Sequence, residues 1–336
     1  MSKVDIISIA KALNLSKSTV SRAFKENSII NPKTRMKILD YANKLNYRPN
    51  HYASSLREQK SKTIAIVVPE LANNFFTQII KGVEQIVKEA GYHTLIFATN
   101  DDIQKEKDFI TSISNGKVDG VLMSVVGEGK DYSYLNGIDL TKMPIVFFDR
   151  VYDDISIDQI ITDDFDSSFR ATEHLIQQGC ESIAYLVINK EVSIGKQRYL
   201  GYVKALEKYS LPFKEDLVVD CTNCYEDNFT RIQKLFEDYA PQAVFASVER
   251  LAFSTYYVCN HLGLSIPGDV KVIAFSSLEI AELLSPALST IRQPSEQIGI
   301  QAAQILLDKL LGRQEDVAVK KIILQSDLII RHSSVS

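Results

Sequence analysis

Apolar residues in the first part of the chain recur at helical spacing. Ile6, Ile9, Ala10 and Leu13 fall three and four residues apart and predict a short helix with one buried stripe. Asn14 follows, a residue that tolerates left-handed backbone better than most, and Leu15 points back inward. Ser16 can cap a second helix by accepting a free backbone N–H. In that helix Val20 and Ala23 continue the stripe, while Lys17, Ser18, Thr19, Ser21 and Arg22 are left for the outside. Asn31-Pro32 is a cap followed by a residue suited to a first helical position. The third helix has an apolar face among Arg35, Ile38, Leu39, Ala42 and Leu45 that can close a small three-helix core.

From Thr63 the period changes. Strands are predicted at 63–68, 93–98, 120–125 and 144–148, separated by amphipathic helices at 74–90 and 103–115. A second set follows, with helices at 166–178, 195–209, 225–239 and 249–261 and extended segments at 182–187, 216–220, 243–247 and 270–275. Such alternation implies parallel sheets covered by helices on both faces. Two sets in tandem imply two similar lobes, although no strict sequence repeat is present.

The two opening helices with a polar turn between them have the layout of a helix-turn-helix, which places one helix in the DNA major groove. Charge strengthens that reading. Residues 1–62 hold thirteen basic side chains against four acidic ones, a surplus of nine, while the whole chain carries −4 and the remainder therefore −13. A basic head on an acidic body is the electrostatic footprint of a polyanion binder. Lys17, Ser18 and Arg22 suit base edges, Arg22 being able to grip guanine with two hydrogen bonds. Thr19 and Ser21 are short donors suited to phosphate.

Composition is globular, with 45% hydrophobic and 24% charged residues over 336 positions, enough for a sizeable core. No segment is apolar enough to span a membrane. The N-terminus lacks an apolar signal core, so the protein is expected in the cytoplasm. Cys180, Cys221, Cys224 and Cys259 are few for this length and fit a reducing compartment. Cys221 and Cys224 lack a second pair at metal-site spacing, so no metal is expected. There is no nucleophile elbow, P-loop or dinucleotide glycine fingerprint, and the five histidines are scattered. Neither catalysis nor a cofactor is expected.

The segments Ser16-Lys-Ser-Thr-Val-Ser-Arg-Ala23, Asn31-Pro-Lys-Thr-Arg35 and Leu45-Asn-Tyr-Arg-Pro-Asn50 resemble the head of the LacI–GalR family of bacterial repressors. The resemblance continues through Ile66–Phe76, Gly116–Gly120, Phe147–Arg150, Glu173–Leu175, Ile266–Val270 and Thr290–Pro294 and so spans nearly the whole chain. It implies a small all-α helix-turn-helix head at 1–50, a hinge helix and linker at 51–62, and an α/β body at 63–336. That body would have the two-lobed periplasmic-binding-protein fold, with two doubly wound parallel sheets. Lobe one would take about 63–160 and 291–320, and lobe two about 163–288 and 321–332.

The family resemblance also implies function. The protein would be a homodimer on a palindromic double-stranded operator, most simply a repressor, modulated by a small carbohydrate-like effector between the lobes. Ser16, Lys17, Ser18, Thr19, Ser21, Arg22, Asn31, Thr34, Tyr47 and Asn50 would meet DNA. Leu56 stands where the family's hinge helix wedges a leucine into the minor groove, which unstacks a step and bends the duplex. Phe75, Phe76, Asp149, Arg150 and Arg198 would face the effector. Two departures fall at positions that commonly supply sugar-binding groups: Val248-Glu249 replaces Asn-Asp, and Phe275-Ser-Ser277 replaces Phe-Asp-Asp. Glu249 and Ser276 are the candidate replacements. The body alone would equally fit a solute-binding protein, a reading the basic head and the missing leader oppose.

Overall fold

The computed structural model describes residues 5–24, 30–47, 60–127, 132–313 and 318–335. The chain divides into two compact units, residues 1–61 and 62–336.

The head contains α1 (Ile6–Leu13), α2 (Lys17–Ala23) and α3 (Pro32–Lys44). Asp5 begins α1 with a reciprocal cap: its carboxylate accepts from Ser8 N–H at 2.8 Å, and the Ser8 hydroxyl sits 3.1 Å from the Asp5 N–H. Those bonds hold the Asp5 carboxyl below its ordinary range. Asn14 takes the left-handed conformation at the helix end, φ 53° and ψ 45°, and its N–H reaches back to carbonyls of the last turn. Ile9, Ala10, Val20, Ala23, Ile38 and Ala42 form the buried centre. Leu45 departs from expectation: it is the residue that ends α3 and is 39% exposed. Arg35 instead turns inward, where its Nε donates to the Ala23 carbonyl at 3.1 Å. A cation at the C-terminal end of α2 satisfies an orphan acceptor and complements the helix dipole.

The body is built on two six-stranded sheets. The first uses β1 (Thr63–Val68), β2 (His93–Ala98), β3 (Gly120–Met123), β4 (Ile145–Phe148) and β5 (Asp158–Thr162), joined by α4 (Asn74–Glu89) and α5 (Ile103–Ile113). The second begins after α6 (Asp164–Gln177). It contains β6 (Ile183–Val187), β7 (Val218–Asp220), β8 (Ala243–Ala246) and β9 (Lys271–Phe275), with α7 (Ser193–Lys208), α8 (Tyr225–Tyr239) and α9 (Glu249–Leu262) between them. Strand β10 (Ser289–Arg292) completes the run beside β9, and α10 (Ser295–Leu310) returns to the first lobe. Strand β11 (Lys321–Leu324) pairs with β5 in lobe one, and β12 (Asp327–Ile329) pairs with β10 in lobe two.

Three details differ from the sequence expectation. Residues 321–324 extend the sheet of lobe one rather than lobe two, because β11 lies parallel to β5. Residues 291–292 remain in lobe two as part of β10. The second sheet is also not wholly parallel, since β12 runs antiparallel to β10 as an edge strand.

Each sheet is covered on both faces. In lobe one α4 and α10 pack on one side, over Ile64, Ile66, Leu122 and Val146, and α5 packs on the other. The α4–α10 crossing is very close. A Cβ on Gly82 would lie 2.2 Å from the Glu296 carbonyl oxygen, and one on Gly299 2.1 Å from that of Ile79. In lobe two α8 and α9 cover one face, and α6 and α7 the other.

Three chain crossings join the lobes, and hydrogen bonds tie them together. Gln293 Nε2 donates to Thr162 Oγ1 at 2.9 Å, and Asp163 accepts from the Ser326 N–H at 2.8 Å and from Arg170 Nη2 at 2.9 Å.

Candidate functional site

Two sites are built by this fold, one on the head and one between the lobes. On α2, Ser16 accepts from the Thr19 N–H at 3.1 Å and its hydroxyl is 2.8 Å from those of both Ser18 and Thr19. Ser16 is thus occupied as the cap, and Thr19 is half-buried against it. Lys17, Ser18, Ser21 and Arg22 fall one and four residues apart, on the side of the helix away from buried Val20 and Ala23. Lys17, Ser18 and Arg22 are exposed and Ser21 half-buried.

Asn31 caps α3, accepting from the Lys33 N–H at 3.0 Å, and Thr34 is half-buried in its first turn. Tyr47 leans on Phe24, ring centroids 5.8 Å apart, and burial raises its phenol above the ordinary range. The expectations on Asn50 and Leu56 lie outside the described residues.

The second site is a cavity of about 400 Å³ between the lobes. Its walls come from residues that follow the carboxyl ends of the strands, where open α/β sheets place their ligands. Phe75 and Phe76 open α4 and stand edge to face, centroids 5.1 Å apart. They serve both lobe-one core and cavity wall.

Asp149 follows β4 in the left-handed conformation, φ 60°. It is 3% exposed, and its carboxylate accepts from Ser124 Oγ at 3.2 Å. Burial raises its carboxyl to about 6, against the pull of Arg150 and Arg198. Arg150 reaches Asp101 at 2.5 Å.

Arg198 projects from α7. Its Nε donates to Asp164 at 2.6 Å and its Nη1 to the Ser247 carbonyl at 2.7 Å, and its guanidinium lies 3.8 Å from the centre of the Phe275 ring. Sequence placed Arg198 on the effector. It does line the cavity, but much of its donor capacity is spent holding the strand ends of its own lobe. Burial pushes the Asp164 carboxyl up, opposed by Arg198.

The two departures from the family pattern meet each other here. Ser276 Oγ donates to Glu249 Oε2 at 2.7 Å, and burial raises the Glu249 carboxyl.

Sequence reading missed the polar string across the cleft. Arg250 of lobe two bonds Glu70 of lobe one at 2.5 Å and Asn223 Oδ1 at 3.1 Å. Asn223 Nδ2 donates to Asp101 at 3.2 Å, and Asp101 holds Arg150. The Ser277 carbonyl accepts from Gln78 Nε2 at 3.2 Å and from Asn74. Glu70 and Asp101 could have been found, since each shortly follows a predicted strand. Asn223 sits in an irregular loop that gives no such signal.

Among the described residues no cluster of His, Cys, Asp and Glu could hold a metal ion, and no helix is long and apolar enough to cross a membrane. Cys221 is buried and Cys224 exposed, both as free thiols.

Comparison with known proteins covers both sites. The family described as bacterial regulatory proteins, lacI family, matches residues 5–50, and periplasmic binding proteins and sugar binding domain of LacI family matches residues 61–332. The probable HTH-type transcriptional repressor ExuR of Bacillus subtilis is 32% identical over 335 residues, covering 98% of each chain. The Lac repressor dimer bound to operator and an anti-inducer superposes with a TM-score of 0.86 at 21% identity, covering 99% of both chains. A LacI family transcriptional regulator from Enterococcus faecium with bound ribose gives a TM-score of 0.72 at 25% identity, covering 81% of this chain and 98% of that one.

Proposed function

This chain belongs to the LacI family of bacterial regulatory proteins; it is a DNA-binding regulator of transcription, and we propose that it represses as a homodimer on a two-fold symmetric operator, released or recruited by a small polyhydroxylated effector in the interlobe cleft. The observation that carries this is the pairing, in one chain, of a basic three-helix head with a polar, aromatic-walled cavity at the strand ends of a two-lobed body.

On the head, Lys17, Ser18 and Arg22 read base edges, while Ser21, Thr34 and Tyr47 meet the backbone. Ser16, Thr19 and Asn31 act first by fixing helix starts that point N–H groups at phosphate. The wedge role of Leu56 and the contact by Asn50 complete the reading. Pairing on a two-fold axis matches a palindromic half-site arrangement. It would also cover exposed apolar groups such as Leu95 and Ile96 on edge strand β2 and Tyr257 and Leu283 in lobe two. The protein works where chromosomal DNA is, in the cytoplasm.

In the body, aromatic faces with carboxylate, guanidinium and hydroxyl groups suit a polyol. The ribose held by the Enterococcus relative supports that class. Effector and operator are then coupled through lobe orientation. The test is operator affinity at fixed salt across a metabolite panel, after genome-wide mapping of bound sites supplies the operator. A palindromic consensus whose affinity shifts with one polyol is expected. An affinity that no metabolite moves removes the effector half, and the lack of a symmetric consensus removes the dimer half.

A further inference from the structure

The charges that line the cleft do not balance, and the imbalance specifies a ligand chemistry. Among the described residues three arginines face the cavity, and each already holds one carboxylate: Arg150 holds Asp101 at 2.5 Å, Arg250 holds Glu70 at 2.5 Å, and Arg198 holds Asp164 at 2.6 Å. Two carboxylates remain. Within the described residues the side chain of Asp149 accepts one hydrogen bond, from Ser124, and that of Glu249 one, from Ser276; both donors are neutral hydroxyls. Asp149 belongs to lobe one and Glu249 to lobe two, and both line the cavity. Among the described residues no lysine or histidine lines the cavity.

Buried charges are stable when paired, and an unpaired one sheds its charge or finds a counter-ion. A ligand bearing an acid would add negative charge to a described lining that already holds more carboxylates than arginines, and would have to strip an arginine from its present partner. A neutral polyol would leave both carboxylates as they are. A ligand ammonium would pair with them directly, and their partial burial would strengthen that pairing over one in water. Phe75 and Phe76 supply aromatic surface for the ring and for the cation, while the Phe275 ring is already covered by Arg198.

We propose that the effector of this cleft is a polyhydroxylated amine, such as an amino sugar, with its ammonium between Asp149 and Glu249. This rests on the reading of the cleft as the effector site.

The test is calorimetric titration of the full chain with matched triads of sugars: for each of several hexoses, the amino sugar, the parent and the uronic acid. The amino member of at least one triad is expected to bind roughly tenfold or more tighter than its parent, a difference of about 1.4 kcal/mol. N-acetylation of that member should erase the advantage. Glu249→Gln, and separately Asp149→Asn, should shrink the ratio of amino-form to parent affinity to within a few-fold, whatever either does to the parent's own affinity. If a parent or a uronic acid binds tightest and shifts operator affinity, the amine proposal is overturned while the cleft remains the effector site. If no triad member binds or moves operator affinity, both readings fail.

Discussion

Arg250 of lobe two closes on Glu70 of lobe one across the mouth of the cleft, Nη2 to Oε2 at 2.5 Å. The two side chains retain 19% and 30% of their exposure, so solvent screens them in part. Asn223 links this pair to Asp101 and Arg150, so that polar contacts pass from one lobe to the other and back. A double-mutant cycle with Arg250→Ala and Glu70→Gln is expected to give a coupling of about 1 kcal/mol in urea unfolding of the ligand-free protein. Additive single effects would mean that the contact holds nothing together.

Asp149 makes the body lose stability as pH rises. Its carboxyl is raised from 3.8 to about 6, so between those values the folded chain keeps a proton that the unfolded chain has released. The benefit is full below the unfolded value and is lost as pH rises through about 6. Asp149→Asn mimics the protonated form and suits left-handed backbone. It should stabilise the empty body by about 2 kcal/mol near neutral pH and by much less near about pH 4. An equal gain at both pH values would point to a cause other than the buried charge.

Arg198 and Asp164 are each nearly sealed, with 4% of either side chain exposed. Arg198→Leu leaves a buried carboxylate without its cation and should cost about 3–5 kcal/mol in urea unfolding. Adding Asp164→Asn should recover part of that loss. Arg198→Lys should rescue poorly, because one ammonium cannot reproduce two directed hydrogen bonds and the stack on Phe275.

Arg22 stands exposed in the last turn of α2. Arg22→Ala should weaken specific operator binding by about 1–3 kcal/mol and relax preference at one base pair, as read by binding-site selection. A uniform loss across sequences, with a smaller salt slope, would make Arg22 a phosphate contact.

Much of the fold is legible in the sequence. Asn14 could be assigned a left-handed turn because few side chains accept one, and strands such as 63–68 announced themselves as short apolar runs ended by a turn residue. The strand at 158–162 was missed, since Asp158 and Gln159 are polar yet fully or almost fully buried. Lys309 pairs with Asp158 and the Tyr152 carbonyl accepts from Gln159, partners that no local pattern displays. The lobe assignment of 321–324 failed for a related reason, because two strands only two residues apart gave no sign that they join different sheets. At the cleft, residue types were visible but their pairing was not. Arg250 carries the same sequence signature as any helix-surface arginine, and only its distance to Glu70 gives it a role.

The short link between β11 and β12 has a consequence for biosynthesis. Lobe one lacks an edge until residues 321–324 exist, and lobe two until residues 327–329 do. A nascent chain leaving the ribosome therefore cannot finish its first lobe, although most of that lobe is translated early, until nearly all of the second has emerged. Both lobes reach completion within the same few codons, and a protein cut off shortly before them would be left with two open sheet edges exposed to aggregation rather than one intact half.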